Sequence, residues 1–107
     1  MNDVTFLEAA RHLAQRTIVE GGTMVGDRVR FGFFRVLSRN PDQQEAHTLI
    51  QSVKHSLEYY RSSPEKTASL LKQGQSSVSQ ELDPSELAAY TVFASILFNL
   101  DETLTRK

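Results

Sequence analysis

Leu82–Leu100 reads LDPSELAAYTVFASILFNL, and the rest of the chain is organised around it. The stretch opens with a helix start. Asp83 suits the N-cap, Pro84 the first helical position where no N–H is required, and Glu86 the N3 position that completes a capping pattern. From Leu87 the side chains at 87, 90, 91, 94, 97 and 98 form one stripe. Ala88, Ala89, Val92, Phe93 and Ile96 make the opposite face nearly as apolar. A helix apolar on every side belongs inside a bundle, so the spacing predicts a central, buried helix over residues 84–99. Its apolar run is broken by Thr91, Ser95 and Asn99 and falls short of the roughly 18 to 20 residues that cross a bilayer. Core burial is expected, with no transmembrane segment.

Outward from that helix, Gln75–Glu81 is polar and serine-rich and reads as an exposed loop. Before it, Ser63 is placed to cap a short helix that runs through Lys72, buries Ala68 and Leu71 and stops at Gly74. The clearest amphipathic stripe, Ala46, Leu49, Ile50, Val53, Leu57 and Tyr60, predicts a longer helix ending at Arg61. Asn40, Pro41 and Asp42 turn the chain into it, with Pro41 expected at or near its first position. A preceding helix over Val25–Ser38 buries Val25, Val29, Phe33 and Val36, with Leu37 flanking. Gly32 opens a notch between Phe31 and Phe34 where another helix can approach. The first helix runs from Asp3, with Asn2 and Asp3 as caps, through Phe6, Ala10, Leu13 and Thr17 to Glu20, and Gly21-Gly22 end it. Beyond Leu100 the chain is expected to fray through Asp101–Lys107, with room for one more helical turn. With no strand pattern, heptad array or internal repeat, the chain reads as all-α: an irregular antiparallel bundle of four to five helices.

A length of 107 residues fits one domain, residues 1–107, with one genuine core. Twelve Lys and Arg oppose 13 Asp and Glu for a net charge of −1, so no global field recruits nucleic acid or anionic lipid. The absence of cysteine removes disulfides, thiolate nucleophiles, zinc knuckles and covalent c-type haem attachment. No basic segment leading into an apolar run follows Met1, so no secretion signal is expected in the chain as given. The domain is expected to be a fragment of a larger protein.

Several local patterns resemble one family across essentially the whole chain. They are Asn2-Asp3 with Phe6, Ala9-Ala10 and Leu13-Ala14-Gln15-Arg16; then Arg28-Val29-Arg30 through Phe34-Arg35-Val36-Leu37-Ser38-Arg39 with Pro41 and Glu45; and, most specifically, Ala88-Ala89-Tyr90, Ala94, Leu97 and Asn99-Leu100-Asp101-Glu102. Together they resemble the C-terminal domain of unknown function of the large planctomycete-type proteins, which carry two such domains in succession, often behind a cytochrome-c-like module. Ser38 stands where that family commonly has a helix-ending glycine, and Tyr90 where it usually has tryptophan. The resemblance implies an exported or cell-envelope parent protein and a C-terminal place within it, and it supplies no catalytic residues.

The candidate sites are sparse. His12, His47 and His55 are the only histidines; His47 and His55 stand about 80° apart around a helix, poor geometry for one metal, and no metal ligand or cofactor is expected in this domain. Glu8, Glu45, Glu58 and Glu86 fall at exposed or capping positions. Ser62, Ser76, Ser77 and Ser79 fall in loops without a histidine-acid pair, so no catalytic residue is assigned. Arg28, Arg30, Arg35 and Arg39 make the second helix the most basic segment, without the aromatic and glycine pattern of a nucleic-acid reader. Arg28, Phe31, Phe34 and Arg35 form the candidate interaction surface, which Phe93 is placed to extend. Arg39 is expected to tie the end of its helix to Asp101 and Glu102 on the last one, with Tyr90 filling a structural aromatic slot.

Two readings follow. One is a non-catalytic helical packing or protein-interaction domain, docking on upstream domains of its parent protein, on a protein partner or on a second copy of itself. The alternative is an accessory domain that completes the active site of an upstream enzymatic or redox module. Arginines of the second helix and a histidine converging on a concave, partly apolar pocket would favour the second, and a flat patch of exposed apolar residues the first.

Overall fold

The computed structural model describes residues 4–72 and 82–105. Five helices follow one another: α1 (Val4–Glu20), α2 (Val25–Leu37), α3 (Gln43–Arg61), α4 (Pro64–Leu71) and α5 (Pro84–Thr105), and no strand occurs among the described residues. The expected caps at Asn2 and Asp3, the stop at Gly74 and the loop Gln75–Glu81 lie outside these residues.

α5 is the axis. Leu87, Ala88, Ala89, Tyr90 and Thr91 are buried in succession, more than one full turn, which requires neighbours on every side. α1, α2, α3 and α4 all pack on it. At about 1.5 Å per residue its 22 residues span about 33 Å of a molecule 35 Å long. The polar interruptions are satisfied inside the helix: the Thr91 hydroxyl donates to the Leu87 carbonyl (2.7 Å) and the Ser95 hydroxyl to the Thr91 carbonyl (3.0 Å). No helix of the described residues is long and apolar enough to cross a membrane. Of the two endings left open beyond Leu100, the further turn is the one taken, and α5 continues to Thr105. The segment contains neither glycine nor proline, and an established helix propagates cheaply through such residues.

α2 is rotated slightly from its expected setting. Its buried residues are Arg28, Val29, Gly32 and Phe33, while Val25 and Val36 are only half-buried. The cause is Gly32. A β-carbon there would stand 2.6 Å from Phe93 Cε2 and 3.1 Å from its Cζ, so the notch holds the Phe93 ring and α2 turns this face to α5. α2 ends at Ser38, which adopts the left-handed conformation (φ 59, ψ 28) and donates its N–H to the Phe34 carbonyl at 2.8 Å.

The start of α3 differs from expectation by two residues. Asp42, not Pro41, opens the helix: its carboxylate accepts the Glu45 N–H (2.8 Å) while its own N–H donates to Glu45 Oε1 (2.9 Å), a complete capping box. In α4, Pro64 occupies the first turn, but Ser63 makes no side-chain cap, and the buried residues are Thr67 and Leu71. Ala68 is exposed. The Thr67 hydroxyl donates to the Tyr60 carbonyl at 2.8 Å, with the Ser63 carbonyl 3.3 Å away, and so folds α4 against the last turn of α3.

Candidate functional site

Of the four residues expected on an interaction surface, Arg28 is not on one. It is 8 % exposed. Its Nε donates to the Gly22 carbonyl (2.8 Å), its Nη2 to the Ile18 carbonyl (3.2 Å) and its Nη1 to Glu86 Oε2 (3.5 Å), and its guanidinium lies 5.5 Å from the centroid of the Tyr90 ring. The end of α1 leaves carbonyls without intrahelical donors, and the planar fork of an arginine answers them together with a carboxylate in the first turn of α5. Gly22 makes this approach possible by turning the chain at φ +90. The Tyr90 hydroxyl beside the fork is enclosed and has no hydrogen-bond partner among the described residues. Burial pushes its phenol above the ordinary range, partly opposed by the Arg28 cation.

The other three do share an outward face of α2. Phe34 is 52 % exposed, Phe31 is half-buried, and the exposed Arg35 places its guanidinium 5.6 Å from the Phe31 ring centroid. Glu20 at the end of α1 is held below its ordinary carboxylate range, chiefly by hydrogen bonds from Arg16 at 2.9 and 3.1 Å, and Arg35 adds to the effect. An aromatic pair with one stacked arginine and a nearby carboxylate therefore faces solvent. Phe93 does not extend this patch, since its ring fills the Gly32 notch.

Arg39 is engaged elsewhere than expected. Its Nη1 and Nη2 grip both Glu45 oxygens at 2.9 Å each, a third bond runs to the Asn40 carbonyl (3.3 Å), and the guanidinium stands 4.9 Å from the Phe33 ring centroid. It thus clamps the α2–α3 turn and covers Phe33 rather than reaching Asp101 and Glu102, which stand near the end of α5 as expected. The Arg39 bond, together with the Asp42 N–H, holds the Glu45 carboxyl down at about 2. Arg11, which sequence reasoning passed over, is buried and donates to the Leu71 carbonyl at 3.0 Å, tying α1 to the end of α4.

The three histidines lie on α1 and α3, not on the arginine-rich α2. His12, His47 and His55 are exposed. His47 borders a shallow polar depression with Asp42, Gln43, Gln44 and Thr48, to which no α2 arginine contributes. No group of three histidine, aspartate or glutamate side chains is placed to hold a metal ion among the described residues. Ser76, Ser77 and Ser79 lie outside those residues, and Glu45 and Glu86 are committed to Arg39 and Arg28.

Compared with protein-family models, curated proteins and solved structures, the chain matches none.

Proposed function

We propose that this chain is a non-catalytic helical docking domain, which presents the outward face of α2 to another polypeptide, foremost the neighbouring domains of a larger parent protein. The observation that carries the reading is Phe34, more than half exposed in a helix whose other long apolar side chains are at least partly covered. Phe31 and Arg35 stand beside it, and aromatic residues and arginine are the types enriched at the cores of interfaces. The patch rests on a rigid helix, so little order is lost on docking. The resemblance to planctomycete-type multidomain proteins supports a parent of this kind, exported and with this domain near its C-terminus.

The competing role, a wall or arginine clamp for an upstream active site, has less in its favour. Arg28 is turned inward and Arg39 holds Glu45, which leaves Arg30 and Arg35 to reach a ligand. Hydrogen exchange on the isolated chain and on the complete parent gene product tests the docking role. Amides from Phe31 to Arg35 are expected to exchange more slowly in the parent. Equal rates in both would sink the assignment of this face.

A further inference from the structure

A second surface lies away from that face. α2 and α4 do not pack on one another among the described residues, and where α4 meets the end of α3 and the start of α5 there is an open cleft of about 510 Å³. Tyr60, Ala68, Leu71 and Pro84 line it, and Arg61 and Lys72 stand at its border. Its volume comes from a small residue at a wide corner. The chain breaks at Ser63-Pro64 between α3 and α4, and the exposed Ala68 lines the gap with only a methyl group.

The walls are fixed from behind. The Thr67 hydroxyl ties α4 to the Tyr60 carbonyl, and Arg11 ties the Leu71 carbonyl to α1. A trough held in this way binds without first being ordered.

The two cations at its border set the chemistry. Arg16, Arg28, Arg30 and Arg39 each face a carboxylate and Arg35 stacks on Phe31, whereas Arg61 and Lys72, like Lys54 and Lys66, are exposed and have no ion-pair partner among the described residues, and of these four only Arg61 and Lys72 line this cleft. An apolar trough calls for a bulky apolar side chain, and cations beside it call for carboxylates on either side of that residue. A compact organic ligand would remain largely in solvent here, whereas sites for such ligands enclose most of their surface. A peptide segment needs only to lay one anchor into a groove.

We propose that this cleft is a second docking site, which takes a short segment of a partner protein carrying a bulky apolar residue flanked by aspartate or glutamate. The proposal rests on the docking role above but uses a different surface.

The test is a titration of the isotope-labelled chain, followed by amide resonances, with a synthetic peptide in which Leu-Trp is flanked by glutamates. Its control has lysines in place of the glutamates. The glutamate peptide shifts the amides of Thr67, Ala68, Lys72 and Ser85, and the lysine peptide does not. Arg61→Glu with Lys72→Glu weakens binding at least about tenfold. Ala68→Glu, which sets a carboxylate in the trough, gives the same loss without touching either cation. Circular dichroism melts confirm that these exposed substitutions leave the fold intact. Phe34→Ser leaves binding unchanged, so failure of the α2 face and failure of the cleft are told apart. No shifts with the glutamate peptide, equal binding of both peptides, or binding indifferent to charge reversal would each overturn the proposal.

Discussion

At Arg28 one guanidinium meets the Ile18 carbonyl, the Gly22 carbonyl and the Glu86 carboxylate, and so joins the end of α1, the following turn and the first turn of α5. Arg28→Met keeps the stem and removes the donors, which leaves a carboxylate and two carbonyls unanswered. The expected loss is about 2–4 kcal/mol, read from the denaturant midpoint. Arg28→Lys should recover little of it, because one ammonium cannot span the three acceptors. The sequence misleads here because arginine is seldom buried, although Arg28 sits three residues after Val25 and four before Gly32, inside the stripe that helical spacing marks as buried. Ser38 is the opposite case. It is a strained residue, with φ 59 where a side chain is disfavoured. Ser38→Gly is expected to raise stability by about 0.5–1 kcal/mol, the relief of strain exceeding the added freedom of the unfolded chain, as a thermal melt will show.

Between elements, the closest fit is Phe93 of α5 in the Gly32 notch of α2. Gly32→Ala would gain about 1 kcal/mol of helix propensity but drives a methyl group into a ring that is 2 % exposed. The net expectation is a loss of about 1–2 kcal/mol. Adding Phe93→Leu should return part of it, a coupling that a double-mutant cycle measures. The notch was legible because an isolated glycine inside a helix requires a packing reason, but the sequence did not say which side chain fills it. The α2–α3 clamp yields a pH dependence instead. Glu45 titrates at about 2 in the folded chain against an ordinary 4.5, so the bound carboxylate contributes stability above about pH 4.5 and loses it as the pH falls toward 2. Glu45→Gln can still complete the capping box but not the ion pair. The gap in melting temperature between wild type and this variant should be widest near neutrality, close below pH 4.5, and narrow with added salt, since the pair is partly exposed. The Asp42-to-Glu45 spacing is that of a capping box, a signal the sequence reading passed over in favour of Pro41; the grip of Arg39 on Glu45 depends on a turn whose path local pattern does not fix.

For the whole molecule, the all-round apolarity of Leu87–Leu97 was enough to place a helix at the centre and the others around it, since a side chain pattern with no polar face leaves no alternative to enclosure. The surface was far less readable. Whether Phe34 faces water depends on a rotation of α2 that periodicity leaves open by about one residue, and the cleft beside α4 depends on how α4 is set after the Ser63-Pro64 break, which no local pattern specifies. Because every other helix packs on α5, calorimetric and van't Hoff enthalpies of unfolding should agree, as for a single all-or-none transition. A separate early melt of α1 with α2 would contradict this.

The partner that α1, α2, α3 and α4 all need is the last of the five to be made. During synthesis the earlier helices leave the ribosome with their oily faces uncovered, and none can settle until residues beyond Leu97 have followed. Nascent chains halted before that point should therefore be recognised by chaperones and proteases as unfinished, whereas release of α5 lets the whole domain close at once.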